Sequence, residues 1–207
     1  MGGPAARSRG SAHVVARESA HVEARESAHV VARSPLAVLV ARSQTPVLKG
    51  GIIVNAYEQS TDPAAWLEAV QAEMLDEGMA LLYKRTADDF GTRPPDGSNQ
   101  RVSYLPDTEV IAPDWDPSPE RECGRGLHLC PTPACCDQFR SDCGDRYVAC
   151  AVAVADILVH PQPEYPGKIR ARSCRVLYEC DREGKRIETA ERPEREESGH
   201  SEEKAKA

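Results

Sequence analysis

The chain has 207 residues, of which 40% are hydrophobic and 29% are charged, and its formal net charge is −7. This composition is typical of a globular protein, and because no run approaches 18 apolar residues, the sequence predicts no transmembrane helix. The arginines near the N-terminus are not followed by an apolar stretch, which argues against a secretory signal, so we expect a cytoplasmic protein without a membrane partner.

Charge is distributed unevenly along the chain. Residues 1–50 carry seven Lys and Arg against three Glu, whereas residues 51–180 carry 12 against 21 acidic residues. The acidic central region argues against nucleic acid as a partner. The arginines of the first segment could contact an anionic partner, although the solvated face of a strand is the simpler interpretation.

The N-terminal segment 11–33 reads SAHVVARESAHVEARESAHVVAR, so it repeats nearly the same octad three times. On a helix, each octad would be rotated by about 80° from the one before it, and three octads would share no apolar stripe. On a strand, the Ala-Val-Ala positions of each octad point to one face. The variable position holds Val15, Glu23 and Val31 in turn, and a charge there is expected only on a face that meets water.

The octads therefore predict short strands in a stacked β-solenoid, with two or more octads in each coil. The alternative is an Ala-, Glu- and Arg-rich helix that frays at its ends. The solenoid would place His13, His21 and His29 in one outward column. Such a column could sense pH or bind a metal ion, although a solvated ladder is the simplest interpretation.

The segment STDPAAWLEAVQAEMLDEG predicts a helix that begins after Thr61 or Asp62 and ends at Gly78. Its apolar stripe runs through Trp66, Val70 and Met74. A strand is then expected over 79–85. Further strands are predicted at 101–105, 108–112, 126–130, 146–159 and 168–180, with a short helix that is capped by Thr132 and begins at Pro133.

These elements predict an α+β fold with four parts. They are a disordered segment 1–10, an octad-repeat β segment 11–50, a small mixed α/β domain 51–188 and a disordered charged tail 189–207.

Eight cysteines lie in the second half of the chain, and the pattern leaves three roles open. Packing is favoured because Cys is a frequently buried, small hydrophobic residue. A zinc site is an alternative, since Cys123 and His128 could converge with Cys135 or Cys136, although no CxxC pair is present. Disulfides are disfavoured in a reducing compartment.

The densest group of chemically active residues is ECGRGLHLCPTPACC. The pattern leaves three roles open for His128. It is a half-buried residue whose hydrogen bonds are satisfied, a metal ligand, or a ligand-binding or catalytic group. The candidate ligand-binding residues are Tyr83, Asp114, Trp115, Arg125, Gly126 and His128. The GxGxxG, GxxxxGK[ST], HExxH and GxSxG motifs are all missing, which argues against Rossmann, P-loop, zincin and α/β-hydrolase chemistry.

The stretches APDWDPSPERECGRGLHLCPTPACC, RYVACAVAVADIL and GKIRARSCRVLYECDREG resemble a domain of unknown function seen in actinobacteria and their phages. Its members tend to read C-G-x-G-L-H-x-S-P-x-P after a loop that contains Trp-Asp, and several carry A-T-V-x-A octads ahead of it. The resemblance covers roughly 79–188 and the repeats. It departs at Cys130, where the family tends to have a small hydroxyl residue.

A strand that ends in Gly-Leu-His before a helix that begins with Pro is also similar to the ADP-ribosyltransferase fold. That analogy implies NAD as cofactor and the catalytic residues Lys84, His128 and Glu179, with the late carboxylate on a ribose hydroxyl.

The sequence therefore favours a non-catalytic binding or accessory module, and the resemblance implies a phage or mobile-element context. Its partner would be a protein or a small ligand. The alternatives are an NAD-dependent ADP-ribosyltransferase-like enzyme and a zinc-stabilised interaction protein.

Overall fold

The computed structural model describes residues 6–8, 11–57, 60–76, 78–92, 101–139, 146–161 and 163–188. The predicted tail 189–207 lies outside the described residues, as does most of the predicted disordered segment 1–10. The described part of the chain is mostly β-sheet with two short α-helices.

Seven short strands make up the N-terminal repeat: β1 (Ala6–Ser8), β2 (His13–Ala16), β3 (His21–Ala24), β4 (His29–Ala32), β5 (Val38–Ala41), β6 (Val47–Lys49) and β7 (Ile52–Asn55). The odd-numbered strands form one parallel sheet and the even-numbered strands form another. His13 of β2 lies opposite His29 of β4, 16 residues further on, so two octads separate paired strands. The prediction that each octad is a strand is confirmed, and the helical alternative is wrong.

The two parallel sheets share one apolar interior. Val22, Leu39 and Ala24 from the odd sheet pack with Val30 and Ala16 from the even sheet in a single cluster. These are the Ala-Val-Ala positions, so the predicted inward face is confirmed. Alternation along each strand places these three positions on one face, because successive side chains point to opposite faces.

The outer faces of the two sheets have different surroundings, which the sequence did not predict. The even sheet leaves Val15 52% and Val31 42% exposed, whereas Val38 and Val40 of the odd sheet are buried in the core of the following domain. Glu23 lies on this covered side.

The prediction of a single histidine column is wrong, because successive octads alternate between sheets. The rings of His13 and His29 stack with their centroids 4.8 Å apart in the even sheet. His21 lies in the odd sheet instead, opposite Val38.

The parallel pairing also extends past the predicted repeat boundaries of 11 and 50. β1 pairs with β3, and β7 pairs with β5.

The first helix, α1 (Pro63–Ala69), begins as predicted, since the Asp62 side chain accepts a hydrogen bond from the Ala65 amide at 2.9 Å. It ends long before Gly78, because Gln71 adopts a positive φ of 55° that breaks the helix. Met74, which was predicted to continue the apolar stripe, belongs to a strand and is exposed. This strand pairs with the next one as a hairpin, so tertiary pairing overrides the helical pattern.

The second half of the chain builds two antiparallel sheets. Its strands are β8 (Met74–Asp76), β9 (Met79–Thr86), β10 (Glu109–Ile111), β11 (Leu127–Leu129), β12 (Arg146–Ala153), β13 (Ile157–Leu158), β14 (Ile169–Ala171) and β15 (Ser173–Cys180), with helix α2 (Pro133–Cys136) after β11. The larger sheet has the order β10-β15-β12-β9-β8, and the smaller has the order β11-β14-β13.

Three predicted strands differ from the structure. The segment 168–180 is divided at Arg172 into β14 and β15, which belong to different sheets. The segment 146–159 is interrupted by a 3₁₀ helix over Val154–Asp156. The segment 101–105 has only an isolated bridge, between Ser103 and Gly91.

The main core joins the domain to the outer side of the odd repeat sheet. Trp66 of α1 is fully buried in it, and its indole Nε1 donates a hydrogen bond to the Pro166 carbonyl at 3.0 Å. Among the described residues, no helix has the length and apolar character needed to span a membrane.

Candidate functional site

The two antiparallel sheets meet where β9 contacts the end of β11. Tyr83 and Cys130 exchange two backbone hydrogen bonds across this junction, at 2.8 and 3.0 Å. The next residue on β9, Lys84, donates a hydrogen bond from its Nζ to the His128 carbonyl at 3.1 Å. Two of the predicted site residues are therefore in contact.

Further basic side chains lie beside His128 on the smaller sheet. His128 of β11 is directly opposite Arg170 of β14, so their side chains share a face. Lys168 lies just before β14, and its positive charge, like that of Arg170, lowers the pKa of His128. Lys168 is only 5% exposed and Arg170 only 3%. We call Lys84, His128, Lys168 and Arg170 the His128 cluster.

Arg170 holds the loop 113–126 in place. Its Nη1 donates hydrogen bonds to the carbonyls of Asp116 at 3.0 Å and Arg125 at 2.9 Å, and its Nη2 donates to that of Ser118. A Cβ on Gly124 would lie 2.6 Å from Arg170 Nη1. The first glycine of the CGRG motif therefore leaves room for the guanidinium, which would have to shift if residue 124 carried a side chain.

The second glycine of this motif serves a different contact. Gly126 has a φ of +132°, and a Cβ there would lie 3.0 Å from the Trp115 ring. Trp115 is partly buried and packs against the core. Both glycines thus have packing roles, and Arg125 between them is exposed.

Lys168 is surrounded by aromatic rings and one thiol. Its Nζ donates to Cys123 Sγ at 3.0 Å and lies 5.1 Å from the Phe139 ring centroid and 4.7 Å from that of Tyr165. Glu122 Oε1 is 3.8 Å away. The Glu122 carboxylate is itself fixed by the backbone amides of residues 164 and 165, both at 2.8 Å.

The His128 imidazole is neutral. Burial, followed by the positive charges of Lys84, Lys168 and Arg170, lowers its pKa to about 3. A hydrogen bond with the Glu122 backbone raises the pKa and only partly offsets this effect. Nε2 is buried and has no hydrogen-bond partner among the described residues.

Lys84 is a second unusual group. Burial lowers its pKa, and four nearby thiols, led by Cys136, act in the opposite direction. Its Nζ lies 5.8 Å from the Tyr104 ring centroid. Within the part of the chain that the structure describes, no carboxylate pairs with this ammonium group.

The structure places the third predicted catalytic residue, Glu179, on the same face of the larger sheet as Lys84. Val148 of β12 is opposite Lys84 on one side and Glu179 on the other. Two strand spacings therefore separate these residues, about 10 Å. The Glu179 carboxylate accepts hydrogen bonds from Arg146 Nη1 at 2.7 and 2.8 Å.

The predicted metal ligands Cys123, His128 and Cys135 are not brought together. Among the described residues, no three His, Cys, Asp or Glu side chains are grouped so that they could hold a metal ion. Cys123 contacts Lys168 instead. Cys135 is buried in α2, and burial raises the pKa of its thiol to about 12.

Tyr83 is the predicted ligand-binding residue that lies apart from the others. Adjacent residues of a strand point to opposite faces, so its side chain points away from that of Lys84. Its hydroxyl lies 3.1 Å from where a Cβ on Gly184 would be. Asp114, Trp115, Arg125 and Gly126 belong to the loop that Arg170 holds beside His128.

Sequence reasoning missed Lys168, Arg170 and Glu122. The alternating pattern of 168–180 placed Arg170 on one face of a single long strand. Because the strand breaks at Arg172, Arg170 becomes a buried residue of the smaller sheet. A lysine and an arginine two residues apart in an otherwise acidic domain were the available signal.

No protein-family model, curated protein or solved structure matches this chain.

Proposed function

We propose that this protein is a non-catalytic binding module and that the His128 cluster holds a small anionic ligand. The observation that carries this proposal is the concentration of three cationic side chains around one neutral imidazole, within a domain region whose charge is −9 from 12 basic and 21 acidic residues. Buried charges are usually paired with opposite charges. Of the three cations in the His128 cluster, only Lys168 has a carboxylate oxygen within 4 Å among the described residues.

The cluster lies at the edge of the core. Lys84 and His128 are each half-buried as whole residues, and burial is the main cause that lowers the pKa of each. A bound anion would lower the electrostatic cost of gathering these cations.

Lys84 is suited to contact the ligand directly. An ammonium group has three donors, and within the described part of the chain Lys84 uses one of them, on the His128 carbonyl. Arg170 contributes charge rather than contacts, because its described hydrogen bonds are made with loop carbonyls.

For the N-terminal repeat we infer a two-sheet β-solenoid that acts as a rigid spacer or docking face. The pairing of each strand with the next but one supports this inference, as does the interior that the two sheets share. The resemblance to a family from actinobacteria and their phages supports a phage or mobile-element context.

The test is calorimetric titration of pyrophosphate into the full-length protein, its Lys84→Met variant and its His29→Ala variant. We expect saturable binding that Lys84→Met weakens at least tenfold and His29→Ala leaves unchanged, since His29 lies on the exposed face of the repeat. Circular dichroism confirms that each variant is folded. Lack of binding at millimolar pyrophosphate would refute the anion site.

A second candidate is an ADP-ribosyltransferase-like enzyme that uses NAD. It is favoured by the contact between Lys84 and His128 and by Glu179 on the same sheet face as Lys84. The Glu179 carboxylate would have to leave Arg146 to hold a ribose hydroxyl. Titration of NAD, with slow release of nicotinamide followed by chromatography, tests it, and Glu179→Gln should abolish the release without abolishing binding.

A further inference from the structure

We propose that His13 and His29 form a binding site for a divalent transition-metal ion on the outer face of the even sheet. The ions that fit it are those for which imidazole is a favoured ligand, such as Ni²⁺ and Zn²⁺. The site lies on the N-terminal repeat, so it is independent of the anion site proposed for the following domain.

The strand register brings the two histidines together. β2 and β4 are parallel, and His13 is directly opposite His29, 16 residues further on. Both residues are exposed, and their ring centroids are 4.8 Å apart. Two imidazoles therefore lie side by side on a surface that a hydrated ion can reach.

A small movement of the rings is enough for chelation. A bond from a metal ion to an imidazole nitrogen is about 2.1 Å long, so two nitrogens that bind the same ion lie roughly 3 Å apart. The two ring planes are tilted by 29° to each other, so the rings already approach along one edge. Exposed side chains rotate within nanoseconds, and such a rotation can bring one nitrogen of each ring to the same ion.

The backbone of the site is fixed by the parallel pairing. The His29 amide donates a hydrogen bond to the Ala12 carbonyl at 2.8 Å, and the Arg33 amide donates one to the Ala16 carbonyl at 2.9 Å. These two bonds lie at opposite ends of the pair of strands. Only the side chains have to reorient on binding, which keeps the entropic cost low.

The neighbouring side chains on this face allow a cation to bind. Val47 of β6 is opposite His29, and Val15 and Val31 form the next row. Lys49 continues that second row, and because it is exposed, water and salt screen its charge. In the described part of the chain no third His, Cys, Asp or Glu joins the pair, so the other coordination positions are left to water.

The experiment is calorimetric titration of Ni²⁺ into the full-length protein at pH 7.5, since a metal-binding imidazole must be neutral. His13→Asn and His29→Asn should each weaken binding about tenfold or more, because the second ligand of a chelate binds at a high effective concentration. His160→Asn, which removes a histidine of the domain, should leave this binding unchanged. Every variant keeps the exposed Cys123, so any contribution of its thiol is common to all.

A further variant moves the pair along by one strand. Val47 is opposite His29 on β6 and is 41% exposed. His13→Asn combined with Val47→His therefore places two imidazoles on adjacent strands again. We expect this combination to restore Ni²⁺ binding to near the wild-type affinity, and circular dichroism checks that each variant is folded.

A second readout reports on the two rings directly. In protein labelled with ¹⁵N-histidine, the ring resonances of His13 and His29 are assigned by their loss in the single variants. On addition of Zn²⁺, which is diamagnetic, they should move together and saturate at the same concentration. Mg²⁺, which prefers oxygen ligands, should not move them.

Three outcomes would overturn the metal site. The first is that either single variant binds Ni²⁺ as tightly as the wild type. The second is that the combined variant stays as weak as His13→Asn, which would show that the loss does not come from a broken chelate. The third is that Zn²⁺ moves the resonances of one histidine without the other.

Discussion

Replacing Glu23 by valine would restore the residue that the first and third octads carry, yet we expect it to destabilise the protein. The Glu23 side chain is 13% exposed and accepts a hydrogen bond at 2.9 Å from Arg42, which is 16% exposed. The same Arg42 donates to the carbonyls of Pro163 at 3.2 Å and Glu164 at 2.5 Å. The pair therefore joins the odd repeat sheet to the domain.

The size of the effect follows from what the substitution leaves behind. A hydrogen bond to a charged group contributes roughly 1.5–3 kcal/mol, and Glu23→Val also leaves the Arg42 charge half-buried without its carboxylate. Some apolar contact with Val40, the β5 neighbour of residue 23, offsets part of this. We expect the free energy of unfolding to fall by about 2 kcal/mol.

The pH dependence of stability tests the same interaction between Glu23 and Arg42. Burial raises the pKa of Glu23, but the hydrogen bond and charge of Arg42, with the charge of Arg7, outweigh it and lower the pKa overall. The stabilisation is therefore present above the unfolded pKa of about 4.3 and is lost as the pH falls through the lower folded value. The difference between wild type and Glu23→Val should shrink in acid.

The measurement is urea unfolding at pH 7 and at pH 3, with Val31→Glu as the matched control. Val31 occupies the same octad position on the exposed even sheet, opposite Lys49, so its substitution should change stability by no more than about 0.5 kcal/mol. The reasoning is refuted if Glu23→Val is as stable as wild type, or if Val31→Glu is equally destabilising.

Three further predictions concern the site. Gly126→Ala should lower the free energy of unfolding by about 2 kcal/mol or more, because its positive φ and the Trp115 ring both exclude a Cβ; unchanged urea unfolding would contradict the packing role. In native protein, iodoacetamide should label Cys123 well before the other six described cysteines, which are buried; peptide mapping that found equal rates would contradict their burial. His128→Phe should reduce the loss of stability between pH 6.5 and 3, since the wild-type imidazole takes up its proton only when unfolded in this range. The other cluster members and Glu122 flank this imidazole. Parallel curves of unfolding free energy against pH for the two proteins would show that His128 does not titrate as described.

The local elements of this fold could be predicted from the sequence where one short pattern determines the outcome. The Ala-Val-Ala alternation identified the interior of the repeat. The Thr132 side chain caps α2 through the Cys135 amide at 3.3 Å, as the Thr-Pro pair indicated. Such features depend on neighbours within a few residues.

Features that depend on distant partners could not be predicted. Met74 continues a helical stripe in the sequence, but in the structure it lies in β8, which pairs with β9 as a hairpin. Glu23 was interpreted as solvent-facing, because nothing in the octads reveals that the odd sheet is covered by the domain. Arg170 became part of the site only through the separation of β14 from β15.

The alternation of octads between two sheets has a consequence for how this repeat can change in length. Losing or gaining one octad between β3 and β5 would exchange the sheet memberships of the strands that precede it, so that the Glu23 octad would turn toward solvent and its neighbour toward the domain. The pairing of Glu23 with Arg42 would then be lost. Insertions or deletions between the nearly identical copies should therefore be tolerated in steps of 16 residues and not in steps of eight. The unit in which this repeat changes length is the two-octad coil rather than the single octad.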